Sequence, residues 1–462
     1  VGRLFGGRVV PVASRCAAGL PQRYHDHFFM ADFRGGPSNS GIRSFANKPK
    51  GAGFELTDSH EFIWQVLATD VDFMTDGSLM LSDWVDGWGL TGKGRLWRIA
   101  NPKYVNSLIA QETRRLLADG FSKRSEAELA KLLGHADRRV RQEAHFELAA
   151  RGDKALPVLL KVARDGKGLE RCHAIWALGI AARNGVKDAL AKLPALLQDA
   201  DLEVRAQAAR VLGDNRVVSA RAALVAALKD PSPRVQSLVA LALSKIPDAS
   251  VVPPLAALIR QNADADPWLR HACIVALAAC ADAKALRELA TDAAPSVRRA
   301  VVVAMRRTQN VEVVRFLDDA DGSIVTEAAR AINDVPLSAA LEALAKLLDR
   351  SGLNEATQVR ALNANYRLGK AEHAEAVARF AARSDAPLSL RLEALKMLEA
   401  WAKPGGTAWS GSGVRSTNRV PTWPSWRFRR ISAACSLARM PSAASRPASR
   451  RSWVSKRLAK RC

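Results

Sequence analysis

The chain has 462 residues, 25% of them charged and 48% hydrophobic, with a formal net charge of +23. It contains no apolar run of about 18 residues, the length a membrane-spanning helix needs, and its six cysteines (16, 172, 273, 280, 435, 462) form no close pair of the kind a metal site or redox motif uses. The charge is unevenly placed: Pro404 to Cys462 hold 11 Arg and 2 Lys without one acid, while the preceding 403 residues carry an ordinary +10.

In chain order, residues 1–19 are free of acids and follow no apolar period, so they read as unpatterned and out of frame. Their Arg3, Arg8, Pro11 and Arg15 interrupt anything like a signal-peptide core. From residue 20 to 102 the apolar period is 2, with strands expected at His27–Phe33, Gly41–Ala46, Phe54–Leu56, Phe62–Val66, Val71–Phe73, Leu79–Ser82 and Gly94–Ile99. Asp76-Gly77 reads as a two-residue hairpin turn, since both residues tolerate positive φ. Short antiparallel strands divided by Gly-rich turns point to propeller blades, about two of them where a closed propeller needs at least four.

Several residues in this stretch invite a chemical reading. His25 and His27 flank Asp26, as a base or ligand pair or as a loop with one inward ring. Gly87-Trp88-Gly89-Leu90-Thr91-Gly92 matches the dinucleotide glycine pattern, but that pattern needs a following helix, and a strand is expected there. Asp70, Asp72 and Asp76 miss calcium-loop spacing by one residue, leaving a blade turn as the better account.

A linker helix is expected over 103–127. Residues 128–403 then return one phrase every 31 residues or so. Its clearest copies are Asp201-Leu202-Glu203-Val204-Arg205 with Ala208 and Leu212, and Asp230-Pro231-Ser232-Pro233-Arg234-Val235 with Val239 and Leu243. The anchor position is held by Val140, Glu170 (a polar exception), Val204, Val235, Leu269, Val297, Ile324, Val359 (in a blurred copy) and Leu390. The i, i+4, i+8 spacing makes one apolar helix face, the Asp-Pro or Asp-Ala pair a helix start, and the small Ala a close approach to the next helix. About nine antiparallel helix pairs in a right-handed superhelix are expected, each burying its face only against its neighbours. Arg141, Arg171, Arg205, Arg270, Arg298 and Arg391 follow the anchors: they form either a basic ladder for a phosphate backbone or Asp–Arg joints with Asp201, Asp230, Asp266 and Asp321. Cys273 and Cys280 lie among Ala, Ile, Val and Leu and read as buried free thiols. At Pro404 the pattern stops, and residues 404–462 read as a basic disordered arm or as sequence translated out of frame.

The repeats resemble the HEAT family, especially the short bacterial HEAT-like repeats, over about 270 residues. That resemblance implies an α-solenoid, a mainly α protein preceded by a small all-β segment, and a protein-interaction scaffold. It leaves open a nucleic-acid-binding alternative through the tail and inner Arg residues, since HEAT-like DNA glycosylases use such a face. Asp70 to Trp84 followed by Gly94 to Ile99 resembles the last blade of the pyrroloquinoline-quinone (PQQ) dependent glucose/sorbosone dehydrogenases. The stretch from Leu20 to Pro102 joined to the repeats is similar to large bacterial membrane-bound dehydrogenases with a propeller, HEAT repeats and often a cytochrome c domain. This resemblance implies a cofactor-facing role for Arg34, PQQ and calcium for full-length relatives alone, and a periplasmic or cell-envelope location for them. It also implies that the catalytic His lies outside this chain, which holds no Cys-x-x-Cys-His haem motif. The expectation is an interior piece of a longer oxidoreductase-like protein, not catalytically competent by itself, without catalytic or metal-binding residues of its own.

Overall fold

A computed structural model describes residues 12–14, 19–85, 87–89 and 91–401, so the reading of 404–462 lies outside the described residues. The first strands form two antiparallel meanders. β1 (Val12–Ser14), β2 (His27–Asp32), β3 (Gly41–Lys50) and β4 (Gly53–Trp64) make one sheet in that order, and β5 (Ala68–Phe73), β6 (Leu79–Asp83) and β7 (Arg95–Ile99) make the other. Alternation sets their inner faces: Leu79, Leu81 and Val71 join Phe29, Ile42 and Ala68 in one buried cluster.

Three expectations are corrected. The stretch read as unpatterned supplies β1, whose Val12, Ala13 and Ser14 pair with Met30, Phe29 and Phe28. Phe54–Leu56 and the first three residues of Phe62–Val66 belong to one 12-residue strand, β4, which ends at Trp64, because ladder pairing with β3 carries through the polar residues between them with local register shifts. The β5–β6 turn has three residues, not two: the Met74 N–H donates to the Ser78 carbonyl at 2.8 Å, and Gly77, at φ 79°, takes the left-handed position that closes such a loop.

Two short helices follow, α1 (Pro102–Val105) and α2 (Leu108–Asp119), the latter packing Ala110 into the sheet core. Beyond them the chain divides into two compact units at Thr308. The first contains α3 (Glu126–Leu132), α4 (Arg138–Ala150), α5 (Leu156–Asp165), α6 (Leu169–Arg183), α7 (Leu202–Asp214), α8 (Arg221–Ala227), α9 (Pro233–Leu243), α10 (Val252–Asn262), α11 (Pro267–Cys280), α12 (Ala283–Leu289) and α13 (Pro295–Arg307). The second contains α14 (Gly322–Asp334), α15 (Leu341–Lys346), α16 (Glu355–Leu368), α17 (Ala371–Ala382) and α18 (Leu388–Glu399).

Each anchor falls in its own helix, paired with the element before it: α3 with α4, α5 with α6, α8 with α9, α10 with α11 and α12 with α13 in the first unit, and α15 with α16 and α17 with α18 in the second. For α7 and α14 the partner is a 3-10 segment, Leu193–Gln198 and Val311–Asp318 respectively. Val140, Val204, Val235 and Val297 are wholly buried, as is Ile324 in the second unit. Glu170, the polar exception, is half-buried; its carboxylate accepts the Lys167 N–H at 3.1 Å and packs where Gly134 leaves room. Val359 does not anchor its copy: it is half-buried, while Ala361 and Leu362 are wholly buried and carry that core. Small residues set the helix spacing, since a Cβ on Gly213 of α7 would lie 2.6 Å from the Ala242 Cβ of α9.

Four of the anchor helices start at an aspartate. Asp137, Asp201, Asp266 and Asp321 are the caps, each accepting the N–H two residues on at 2.8 Å. The Asp-Ala and Asp-Pro pairs lie just before this point, so Asp230-Pro231 is not itself the helix start. Ser232 is the residue before α9 and Pro233 its first residue, while Asp230 accepts the Ser232 N–H at 2.8 Å.

Candidate functional site

The Arg residues after the anchors are engaged. The Nη1 atoms of Arg141, Arg205 and Arg298 each donate to two carbonyls of the loop before their own helix, those of residues 135 and 136, 199 and 200, and 292 and 293. Arg171 grips Asp199 at 2.9 and 2.5 Å, and Arg205 grips Asp230 at 2.7 and 3.1 Å, both as bidentate pairs to the next loop. Arg270 lies 3.6 Å from Asp264, and Arg391 Nε donates to the Ala381 carbonyl at 3.0 Å. Asp199, Asp230 and Asp264, the carboxylates two residues before a cap, serve these joints; of the four named from sequence, Asp230 pairs in this way, and the carboxylates of Asp201, Asp266 and Asp321 accept helix N–H groups. The Arg171 hydrogen bond holds the Asp199 carboxyl below its ordinary range.

A second polar line runs through the first unit. Trp176 Nε1 donates to Gln207, Gln207 Nε2 to Glu203 at 2.6 Å, and Arg234 clasps Glu203 at 2.7 Å through two nitrogens. Beside it, Arg141 Nε donates to His173 Nε2 at 3.2 Å, which leaves the His173 Nδ1–H to donate to His145 Nδ1 at 2.9 Å. Burial pushes His145 down to about 4, and burial, with His145 and Arg141 alongside, pushes His173 down to about 3.

This line ends at a cleft that sequence reasoning missed. β3 and β4 run on as a long two-stranded arm whose turn reaches the repeats. The Ala52 N–H donates to Asp266 Oδ2 at 2.6 Å, while Asp266 Oδ1 caps the Trp268 and Leu269 N–H groups at 2.8 and 3.0 Å. Gly51, at φ 56°, and Gly53 sit where any Cβ would strike Asp266 or the Trp268 ring. Between the arm and α9, α10 and α11 lies a cavity of ≈ 530 Å³ with walls that include Phe54, Leu258 and Trp268 and with Gln236 among its lining residues. Phe54 and Trp268 remain 46% and 58% exposed, and the Arg234 guanidinium stands 5.2 Å from the Phe54 ring. The signal available in the sequence was Lys50-Gly51-Ala52-Gly53 between two alternating runs; the arm's destination had none.

Arg34 lies just after β2 with its guanidinium on Asp32, Nε and Nη2 each at 2.9 Å, and Arg43 holds the same carboxylate at 2.8 Å. Burial alone would raise the Asp32 carboxyl; the two arginines hold it below its ordinary value. His27 points inward, with Nδ1 2.7 Å from Ser44 Oγ, and burial lowers its pKa, while His25 is half-buried in the preceding turn. Gly87–Gly89 is a 3-10 turn, and the next element is the strand β7, so no helix follows the glycine pattern. Asp76 accepts from Ser78 and Arg98 and is lowered to about 2 by those bonds against the opposing effect of burial. Cys172, Cys273 and Cys280 are buried free thiols, and burial pushes Cys273 up to about 12. Among the described residues no group of three His, Cys, Asp or Glu could hold a metal ion, and no helix is long and apolar enough to cross a membrane.

Residues 126–201 and 191–278 match the family model described as HEAT repeats. Among solved structures, an engineered protein is 22% identical over 61% of this chain and 89% of its own, with a TM-score of 0.30. YibA of Escherichia coli is 17% identical over 55% and 95%, with a TM-score of 0.31. The complex of CpcE and CpcF of phycocyanin lyase from Nostoc is 18% identical over 60% and 95%, with a TM-score of 0.24. No curated protein matches the chain. The protein is mostly helical, built of HEAT-like repeats preceded by a small antiparallel sheet region.

Proposed function

We propose that this chain is an interaction scaffold whose working surface is the cleft where the β3–β4 arm meets α9, α10 and α11. The observation that carries the reading is the pair of large aromatic side chains, Phe54 and Trp268, left about half exposed on opposite elements of one cavity. Together they leave apolar surface open on facing walls of one concavity, as at a recognition site. A photo-crosslinking benzophenone amino acid in place of Gln261, on the exposed rim, should yield one discrete protein adduct in cells that disappears with Trp268→Ala. Adducts that persist with Trp268→Ala would refute the cleft as the docking surface.

The finer reading concerns the origin of the sheet segment. Residues 20–102 are proposed as the terminal blades of a PQQ-dependent sugar dehydrogenase-like propeller, followed by a linker to 127 and repeats to 403. The meander order of both sheets supports it. In this reading Arg34 keeps a cofactor-facing role only if a quinone carboxylate competes for it with Asp32. Supplying PQQ, calcium, a panel of sugars and a dye acceptor should give no turnover, since seven strands cannot enclose the cofactor. Turnover that vanishes in Arg34→Ala would overturn this.

A further inference from the structure

We infer that the open face of α18 is a docking surface for a further helix pair of the repeat pattern, one whose connecting loop brings a carboxylate to the guanidinium of Arg391. This surface shares no residue with the cleft. Arg171, in the first unit, shows what such an arginine does when it is covered. Its Nε donates at 2.9 Å to the carbonyl of Ala163, near the end of the preceding helix α5, and its two Nη atoms hold Asp199, 28 residues on, in the loop before α7. Arg391 stands at the same place after its anchor and takes the same pose within the second unit. Its Nε donates at 3.0 Å to the carbonyl of Ala381, near the end of the preceding helix α17. Among the described residues no group meets the Nη atoms of Arg391. The carboxylate that completes the joint at Arg171 has no counterpart there.

The apolar positions repeat the comparison. Five residues after the anchor, Ile175, Ala209 and Ile274 are buried, and eight after it Leu178, Leu212 and Leu277 are wholly buried, with α7, α9 and α13 packed alongside as the next helices. In α18 the same two positions are Leu395 and Leu398, both only half-buried, and Leu392 is 38% exposed. A repeat with water beyond it carries a polar outer face; α18 carries three leucines. The complement of those leucines and of an arginine in this pose is what each next repeat presents in the first unit, an apolar helix face behind a loop with an acid. A phosphate backbone would satisfy the arginine and leave the leucines in water. A second copy of α18 would cover the leucines, but the acid at Arg171 arrives from a loop and not from the side of a helix.

The test inserts a copy of residues 184–246, which hold Asp199, α7, α8 and α9, between Lys403 and Pro404 of the full chain. The inserted Asp199 then follows Arg391 by the 28 residues that separate Arg171 from Asp199. Tethering makes even weak docking readable. Amide hydrogen exchange across α18 should slow about tenfold relative to a chain with a Gly-Ser insert of equal length. Arg391→Gln, and Asp→Asn at the inserted Asp199, should each give back about threefold of that protection, and together no more than either alone, since both remove one ion pair. Exchange that the insert leaves unchanged, or protection indifferent to both substitutions, overturns the proposal. So does a native chain that sediments as a dimer and is made monomeric by Leu395→Glu, which would make a second copy the occupant. None of these outcomes bears on the Trp268-dependent adduct at position 261, so a failure here leaves the cleft reading standing.

Discussion

The joints between repeats and the cleft under the arm are left in opposite states. At the joint after α7 the polar groups close on one another: Arg205 satisfies two loop carbonyls and the Asp230 carboxylate at once. At the cleft the Gln236 amide lines the wall without a side-chain hydrogen bond, and two aromatic rings stay about half exposed. Closed polar networks hold a stack in register, whereas open apolar surface is left for something else to cover. Stability should therefore be lost by damage at the joints and not by apolar substitution in the cleft.

The largest effect should come from the core the joints enclose. Val204→Asp places an unpaired carboxylate at a fully buried contact of α7, and we expect a loss of more than about 4 kcal/mol in chemical denaturation. An unchanged midpoint would mean that the α7–α9 contact does not exist in solution.

Next comes acid. His145 and His173 are held neutral with pKa values of about 4 and 3, while an unfolded His takes its proton near 6.5. Between those values the unfolded chain binds more protons than the folded one, so their contribution is intact above about pH 6.5 and lost as pH falls toward 4. We expect the first unit to lose about 2 to 4 kcal/mol between pH 7 and pH 5, with a shallower slope in His145→Phe. A melting midpoint flat over that range would show that the imidazole pair is open to water.

The arm gives a smaller and more local effect. Asp201 and Asp266 are both caps, but only Asp266 also receives the Ala52 N–H of the arm. Asp266→Ala should cost about 1 kcal/mol more than Asp201→Ala and should speed hydrogen exchange at the Ala52 amide. Equal costs and a protected Ala52 would mean that the arm is held by the Trp268 contact alone.

The repeats were legible because their period is enforced by burial: Val204 and Val235 mark helix faces directly, and the aspartates before them announce helix starts. Which aspartate does what was not legible, since Asp199 and Asp201 differ only in the φ and ψ of the loop between them. The sheet was read strand by strand from alternation, but β4 was broken in two where Thr57, Asp58, Ser59 and His60 interrupt the apolar pattern, because ladder bonds do not depend on side-chain polarity. The cleft was hidden for a deeper reason. It needs Lys50–Phe54 to meet residues about two hundred positions away, and no local pattern encodes a meeting at that distance. Gln236 looks like any polar residue on an amphipathic helix until its neighbours are known.

The smallest expected change bears most directly on the contrast between closed joints and open cleft. Gln236→Leu exchanges a cleft-lining amide that makes no side-chain hydrogen bond for an apolar side chain of nearly the same volume, so the melting midpoint should not fall. A midpoint that falls would show that Gln236 is bonded in the free protein, and the account of the cleft as a site held open for a partner would be wrong.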